Sequence, residues 1–281
     1  MTKFTVISGS LFEELARKIA KKLQADFLKY HLKNFPDGEN KIIVIQSTYP
    51  PVDENLIRTL LVISKAKEYG SEVIAIIPYM GYARQDREFL SGEIITMKVI
   101  ASLFKSVGVS RIIVVDIHSM MGLKYFNIKA KNVTAVPDLA KYFSKLKLKN
   151  PLVVSPDQGG KERAKKFAKF LNVEYISLEK RRDRKTGKVE IKTTNFDEVI
   201  DRDLILVDDM ISTGGSIIKA TEFLKKQKCK RVFVACTHAL LRNGAERKIK
   251  KAGVTKIIST NTIPGKTSLV DVSGTIAKAI I

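Results

Sequence analysis

The sequence contains no tryptophan, only two cysteines and no apolar run longer than a strand. Cys229 and Cys236 lie in a strand-like segment without C-x-x-C spacing or a nearby histidine cluster, which argues against a disulfide framework and a zinc site. We interpret both as reduced core thiols. Apolar runs such as residues 73–77 are far shorter than the roughly 20 residues that span a membrane, and the N-terminus lacks the apolar stretch of a signal peptide. The composition therefore predicts a cytoplasmic protein without a membrane segment.

Acidic residues are also scarce: 29 Asp and Glu face 50 Lys and Arg, which gives a formal net charge of +21. A nucleic-acid-binding protein is one explanation for such an excess. The excess is spread evenly, however, since residues 1–150 carry 23 basic and 14 acidic side chains and residues 151–281 carry 27 and 15. The sequence has no zinc-finger spacing, no aromatic RNA-binding motif and no long basic arm. We therefore expect a lysine-rich solvated surface and no specific nucleic-acid partner.

Short apolar segments alternate with amphipathic segments along the whole chain. The apolar segments predict strands at 4–8, 41–46, 72–78 and 111–116, and the alternation begins again after about residue 150. Strands that alternate with helices in this way are typical of a parallel sheet covered by helices on both faces. The sequence therefore predicts an α/β fold of mainly parallel sheets flanked by helices.

A repeated sequence indicates two related domains. Residues 16–23 (ARKIAKKL) and 164–171 (AKKFAKFL) share five of eight residues at an offset of 148, and each segment follows a strand that ends in serine. Similarity at a fixed offset, within the same order of elements, indicates duplication. We predict two duplicated α/β domains, residues 1–147 and 148–281, that meet near a lysine-rich stretch.

The segment LILVDDMISTGGSI, residues 204–217, predicts a ligand site at the carboxyl end of a strand. Its apolar run ends on Asp208 and Asp209, and a loop of small residues follows before a helix predicted from near Ile217. The loop consists of Ser212, Thr213, Gly214, Gly215 and Ser216. Backbone N–H groups, hydroxyls and a helix N-terminus can bind a phosphate, and adjacent carboxylates can accept hydrogen bonds from vicinal hydroxyls. The segment predicts a sugar-phosphate site, with an ordinary capped strand–turn–helix as the simpler alternative.

The same segment resembles the phosphoribosyl-pyrophosphate loop of type I phosphoribosyltransferases, a fold family with many activities. Other segments narrow the resemblance to the ribose-phosphate pyrophosphokinase family, and the short length is similar to its archaeal form. These segments occur in the family's order: FPDGE (35–39), PYMGYARQDREFLSGE (78–93), DIHS (116–119), VVSPDQGGKERA (153–164), EKRRDR (179–184) and STNTIP (259–264). The resemblance implies two phosphoribosyltransferase-like domains and a homo-oligomeric enzyme of nucleotide biosynthesis.

The resemblance also implies a reaction. The β,γ-diphosphoryl group of ATP would be transferred to the 1-hydroxyl of ribose 5-phosphate, with AMP as the second product. Asp208, Asp209 and the loop 212–216 are implied to bind ribose 5-phosphate. Lys180 and Arg182 are implied to stabilise the transition state, and Arg182 also to contact the sugar phosphate.

Two further groups of residues take their roles from the resemblance alone. His118 and Asp157 are implied to help hold Mg²⁺, the expected cofactor, although imidazole is an unusual ligand for a cation that prefers oxygen. The nucleotide is implied to bind to two segments that come together across a subunit boundary, which requires at least a dimer. Their residues are Phe35, Asp37, Gly38 and Glu39 in one segment and Arg84, Gln85 and Asp86 in the other.

Three alternatives are left open by the sequence. A true phosphoribosyltransferase would share residues 204–217 but would not need a duplicated domain that carries FPDGE and YARQD. A catalytically silent regulatory paralogue should have lost part of the basic segment or of the metal pair, both of which are present. A nucleic-acid binder would show weak, salt-sensitive retention from charge alone.

Overall fold

The computed structural model describes residues 4–9, 12–29, 41–70, 72–182, 189–192 and 199–281, with the backbone alone at 180–182 and 189–192. The chain divides into two compact units. The first comprises residues 1–134, 261–264 and 271–281, and the second comprises residues 135–260 and 265–270. Each unit is built around its own six-stranded sheet.

The first unit is an α/β sandwich. Its strands are β1 (Phe4–Ser8), β2 (Asp26–Lys29), β3 (Lys41–Ile45), β4 (Glu72–Ile77), β5 (Arg111–Val115) and β6 (Lys129–Val133). Its helices are α1 (Glu13–Leu23), α2 (Val52–Tyr69), α3 (Thr96–Ser106), α4 (Met120–Lys124) and the last helix of the chain, α9 (Ser273–Ile280). All neighbouring strands are parallel, in the order β2-β1-β3-β4-β5-β6.

The second unit repeats this plan and adds a ribbon. Its main strands are β7 (Leu152–Ser155), β8 (Tyr175–Ser177), β11 (Asp203–Ile211), β12 (Arg231–Ala239), β13 (Val254–Thr260) and β14 (Ser268–Val270). The ribbon consists of β9 (Glu179–Arg182) and β10 (Val189–Lys192), which pair antiparallel. Its helices are α5 (Val136–Phe143), α6 (Lys161–Leu171), α7 (Gly215–Lys226) and α8 (Ala245–Lys251).

The strand order confirms the predicted duplication. Read from its other edge, the second sheet runs β8-β7-β11-β12-β13-β14, which matches β2-β1-β3-β4-β5-β6 strand for strand. Helix α1 spans residues 13–23 and α6 spans residues 161–171, so both ends keep the offset of 148 found in the sequence. The two sheets therefore have the same topology, and the predicted α/β class with parallel sheets is confirmed.

The strands form because both faces of each sheet are covered. Strand β4 (EVIAII) and the apolar half of β11 are buried along nearly their whole length, as parallel strands between two helical layers must be. The helices are amphipathic: α1, for example, buries Leu15, Ala16, Ile19 and Ala20 and exposes its lysines. No helix in the described ranges is long and apolar enough to cross a bilayer.

The division between the units differs from the predicted one between residues 147 and 148. The chain leaves the first unit at residue 134, and α5 packs in the second unit, where the rings of Phe143 and Phe167 lie 5.6 Å apart. The lysine-rich stretch after α5 is held to the second sheet, since the Lys149 N–H donates to Asp203 Oδ2 at 2.6 Å. Helix α9 belongs to the first unit, where Arg111 Nη1 donates to the Ile280 carbonyl at 3.0 Å. The two compact units therefore divide at residue 134, before the lysine-rich stretch.

Candidate functional site

The two adjacent carboxylates lie inside a strand and not at its tip. Strand β11 continues to Ile211, whereas the sequence predicted that Asp208 and Asp209 form the strand tip. The neighbouring strand β7 pairs with β11 only as far as Leu206, so beyond Leu206 the pairing of β11 is with β12 alone. The carboxylates therefore lie where one edge of β11 has no strand beside it. The Asp208 side chain is 21% exposed and that of Asp209 is 4% exposed.

An arginine that the sequence gave no reason to single out contacts both carboxylates. Arg163, in the first turn of α6, places Nη1 at 3.4 Å from Asp208 Oδ1 and Nη2 at 3.7 Å from Asp209 Oδ1. Burial is the main cause of a raised pKa at Asp208, and the negative charge of Asp209 adds to it. Arg163 opposes this shift, but the pKa of Asp208 still rises to about 8. The pair thus tends to retain a proton at neutral pH and can accept hydrogen bonds when fully ionised.

The small-residue loop after β11 is shaped for close approach of a ligand to the backbone. Gly214 adopts φ +79°, and a Cβ at this position would lie 2.8 Å from Ile249 Cδ1, so a side chain is excluded there. Helix α7 begins at Gly215, two residues before the predicted start. The base of the loop is fixed because the Arg242 N–H donates to the Ser212 carbonyl at 3.0 Å. Thr213 is exposed, so its hydroxyl is accessible to a ligand.

A second glycine-containing turn follows the adjacent strand β7. The Asp157 carbonyl accepts hydrogen bonds from Ser155 Oγ at 2.6 Å and from Ser177 Oγ at 3.2 Å, which fixes the turn before α6. A Cβ on Gly160 would lie 2.7 Å from Ser155 Oγ, so glycine is required by space. Because β7 and β11 are neighbours and parallel, the N-termini of α6 and α7 follow the same edge of the sheet. This edge combines two anion-binding helix ends with the acid pair.

The predicted transition-state residues lie in the antiparallel ribbon. Lys180 and Arg182 are in β9, paired with Ile191 and Val189 of β10. The described structure gives their backbone positions and leaves residues 183–188 outside its ranges. Their predicted roles therefore stay predictions.

The predicted nucleotide residues fall partly outside the described ranges. Phe35, Asp37, Gly38 and Glu39 belong to residues 30–40, which the structure does not describe. Arg84 and Gln85 are exposed on the loop between β4 and α3. Asp86, in contrast, is only 2% exposed, and its carboxylate accepts a hydrogen bond from Ser119 Oγ. The predicted nucleotide contact of Asp86 stays a prediction, and little of its side chain is exposed for such a contact.

The predicted metal residues belong to different units. His118 is exposed just after β5, and Asp157 is partly buried in the turn before α6. Among the residues described, no group of three or more His, Cys, Asp and Glu side chains is close enough to hold a metal ion. Mg²⁺ often uses only one or two carboxylates together with substrate phosphates and water. Asp157 fits that donor chemistry, whereas the imidazole of His118 is not a preferred magnesium ligand.

Comparisons with known proteins agree with this geometry. A family model for the N-terminal domain of ribose phosphate pyrophosphokinase matches residues 4–108, and one for the phosphoribosyl transferase domain matches residues 131–272. The chain is 37% identical to a ribose-phosphate pyrophosphokinase of Sulfurisphaera tokodaii, over 98% of this chain and 99% of that protein. It is 38% identical to one of Pyrococcus furiosus, over 95% and 97%.

A solved structure agrees over the whole length of the fold. The crystal structure of phosphoribosylpyrophosphate synthetase from Mycobacterium smegmatis matches with a TM-score of 0.82 at 25% identity, and the match covers 99% of this chain and 97% of that one. The full-length matches include both units. From its sequence, topology and site residues, the chain belongs to the ribose-phosphate pyrophosphokinase family.

Proposed function

We propose that the chain is a ribose-phosphate diphosphokinase of nucleotide biosynthesis. The 1-hydroxyl oxygen of ribose 5-phosphate attacks the β-phosphorus of ATP, the bond from the α-phosphate bridging oxygen to that phosphorus breaks, and the hydroxyl proton is released. The products are phosphoribosyl pyrophosphate and AMP. The observation that carries this proposal is the acid pair of β11 next to the glycine loop, in a chain that matches pyrophosphokinases over nearly its full length.

Ribose 5-phosphate binds at the carboxyl edge of the second sheet in this proposal. Its phosphate takes the N–H groups and hydroxyls of the loop 212–216, where α7 begins. The ribose hydroxyls donate to Asp208 and Asp209, which replace water as acceptors. Charged acceptors make stronger hydrogen bonds than neutral ones, so the pair can orient the 1-hydroxyl. Arg163 keeps the two carboxylates together before the sugar arrives.

The diphosphoryl group needs charge neutralisation more than covalent chemistry. Lys180 and Arg182 supply cationic donors to the transferred group, and Arg182 also contacts the sugar phosphate. The turn 157–160 offers a second site for phosphate oxygens before α6. When bound, Mg²⁺ neutralises charge on the triphosphate and orients it. Asp157 and His118 are the residues proposed to hold that ion, directly or through its water molecules.

The nucleotide is proposed to bind to the first unit. Arg84 and Gln85 are exposed on their loop and available to phosphate and base, and Phe35, Asp37, Gly38 and Glu39 are proposed to recognise the adenine. A homo-oligomer of at least two chains is part of the proposal. It is supported by three exposed apolar side chains on the same loop as Arg84: Phe89, Leu90 and Ile94 are 65%, 71% and 75% exposed. Such surfaces commonly mark protein interfaces.

A cytoplasmic location completes the proposal. Both cysteines are buried free thiols, and burial raises the pKa of Cys229 and of Cys236, which keeps them protonated. Free thiols of this kind are typical of reducing compartments.

The proposal is tested by incubating the protein with ATP, ribose 5-phosphate and Mg²⁺ and following AMP and phosphoribosyl pyrophosphate by ³¹P NMR. We expect AMP to form only when the sugar phosphate is present. Lys180→Ala should lower kcat by ~100-fold or more with little change in KM, because its contact forms fully only in the transition state. Wild-type protein that consumes phosphoribosyl pyrophosphate with a base, but does not form it, would identify a phosphoribosyltransferase. Binding of both substrates without turnover would identify a regulatory paralogue.

A further inference from the structure

Asp86 is a buried carboxylate with exposed residues on both sides of it in the sequence. Its neighbours Arg84, Gln85 and Arg87 are exposed, whereas Asp86 is 2% exposed. Burial acts to raise its pKa, but hydrogen bonds from Ser119 and Arg87 outweigh burial and hold the pKa below the usual range. The carboxylate is therefore ionised at neutral pH. Burying an ionised group costs free energy unless hydrogen-bond donors or opposite charges compensate it. The groups that compensate the Asp86 carboxylate therefore indicate the role of Asp86.

The partners of Asp86 lie on the segment that carries His118. Ser119 Oγ donates to Asp86 Oδ2, and the Tyr125 hydroxyl donates to the Asp86 carbonyl at 2.9 Å. Arg87 Nε donates to Asp86 Oδ1 at 3.4 Å. Both Ser119 and Tyr125 flank α4, which follows β5 directly. Asp86 thus connects the loop after β4 to the loop after β5.

Because Ser119 is the next residue after His118, its hydrogen bonds also restrain the backbone of His118. While its hydroxyl donates to Asp86, its oxygen accepts the Met121 N–H at 3.2 Å and caps α4. On the other side of His118, the Ile117 N–H donates to Asn132 Oδ1 at 2.9 Å. The backbone of His118 is therefore held on both sides, which limits the positions that its exposed imidazole can occupy.

We propose that Asp86 is a positioning residue that holds His118 in place through Ser119 and does not contact the nucleotide. The consequence for catalysis rests on the proposed function, because His118 matters there only if it helps to bind the metal or triphosphate. The contact itself does not depend on that function. Partners that orient a functional side chain typically change metal affinity or activity by ~10–100-fold when they are lost.

The positioning is tested first without turnover, by NMR of protein labelled with ¹⁵N-histidine. The chain has only three histidines, and the spectrum of His118→Gln assigns the His118 signal. We expect Ser119→Ala and Asp86→Ala to shift or broaden the His118 imidazole signal. His238, buried in the second unit, should stay unchanged and serves as an internal reference. Ser119→Thr keeps the hydroxyl and should restore the wild-type signal. An unchanged His118 signal in Ser119→Ala would overturn the proposal.

Steady-state kinetics then separate positioning from nucleotide contact. Ser119→Ala, Asp86→Ala and the double variant should each lower kcat by a similar factor of ~10 or more, because all three interrupt one connection. The KM for ATP should stay within about twofold of wild type. Ser102→Ala, which removes an exposed hydroxyl bonded only within α3, is the matched control and should leave kcat unchanged.

Two results would contradict the positioning role in these assays. A raised KM for ATP in Asp86→Ala, with wild-type kcat in Ser119→Ala, would make Asp86 a nucleotide ligand. Losses that add independently in the double variant would show that the two residues act separately. If Asp86→Ala folds poorly, Ser119→Ala tests the positioning role by itself, because this variant keeps the buried Asp86 carboxylate. Wild-type protein without sugar-dependent AMP formation would refute the proposed function, while the histidine spectra would still decide the contact.

Discussion

At Asp208 and Asp209 the chain keeps two neighbouring carboxylates at the partly covered end of a buried strand. Arg163 compensates them only in part, since its closest approach is 3.4 Å and the pKa of Asp208 is still raised. Such an arrangement lowers the stability of the free protein, because like charges repel and burial disfavours both. A ligand whose hydroxyls donate to the pair removes part of this cost. The residues that we assign to ribose binding therefore also lower the stability of the ligand-free protein.

Asp208→Asn should weaken the binding of ribose 5-phosphate and leave ATP binding nearly intact. Loss of a charged acceptor for a sugar hydroxyl corresponds to about 1–3 kcal/mol of binding free energy. Isothermal titration calorimetry with each substrate separately measures both affinities. Asp201→Asn, an exposed aspartate of the same unit, is the matched control. Equal losses for the two substrates would show that Asp208 serves the metal or the fold instead.

The same substitution should also change how stability depends on pH. The pKa of Asp208 is about 8 in the folded chain and has an ordinary value of 3.8. The folded chain therefore holds this proton more tightly, and the free energy of unfolding falls as pH rises through that interval. Asp208→Asn removes this titration. The free energy of unfolding of the variant, relative to that of wild type, should therefore increase as pH rises through this interval and stay constant at higher pH. We expect a gain of at least about 1 kcal/mol, since each pKa unit corresponds to about 1.4 kcal/mol.

Thermal unfolding of both proteins between about pH 5 and about pH 9 measures this difference. Asp201→Asn, measured in the same way, is the control. A gain in Tm for Asp208→Asn that is the same at every pH would contradict the raised pKa.

The duplicated elements have diverged in the loops between them. In the second unit, β11 carries the acid pair and is followed by the loop STGGS. At the equivalent place in the first unit, β3 and α2 are joined by QSTYPP (46–51), which contains no carboxylate. The strands and helices keep the same order in both units because the apolar pattern that buries them is the same. The loop residues lie outside this repeated apolar pattern and can therefore differ, even where they are buried, as Ser47 and Thr48 are. Of these two equivalent places, only the one after β11 has the residues that we assign to ribose phosphate.

Two adjacent glycines of this loop should respond differently to alanine. Gly214→Ala would place a Cβ 2.8 Å from Ile249 Cδ1 at φ +79°, so we expect a loss of about 1–3 kcal/mol in stability and weaker ribose 5-phosphate binding. Gly215→Ala faces open space at the first position of α7, and its stability should equal or exceed that of wild type. Denaturant unfolding of both variants measures the contrast. Equal stability would show that the backbone at Gly214 is not restrained.

At the scale of the whole molecule, the proposed reaction uses residues from both units. Arg84 and Gln85 belong to the first unit and Asp208 and Asp209 to the second. If nucleotide residues come from a neighbouring subunit, the inactive variants Lys180→Ala and Arg84→Ala should complement each other after subunit exchange. Random mixing into dimers makes about half of them mixed, each with one repaired site of two, so activity should recover to at most about a quarter of wild type. Recovery is measured as AMP formation after mixing the purified variants.

The complementation experiment needs proof of exchange, which native mass spectrometry of differently labelled chains provides. No recovery despite exchange would place the complete nucleotide site within one chain. A fully active monomer would exclude the shared site altogether.

The sequence alone determined what depends on local pattern. Apolar runs and amphipathic periods predicted the strands and helices, the offset of 148 predicted the duplication, and small residues after Asp209 predicted the phosphate loop. These features depend on neighbours within a few residues, so they can be read along the chain. The predicted strand end at Asp208 and Asp209 was wrong because β11 pairs with β12 as far as Ile211. No residue near Asp208 in the sequence indicates that partner strand.

Tertiary structure decided which distant groups meet. Asp86 is buried because Ser119, 33 residues away, satisfies its carboxylate, and Arg163 reaches the acid pair 45 residues further along. Helix α9 joins the first unit because its last carbonyls meet Arg111, not because of its place in the sequence. Such contacts have no periodic signature, since they depend on which faces and edges the packed sheets leave uncovered. The sequence therefore predicted the local elements, and the packing determined how the chain divides into compact units and which residues contact the proposed site.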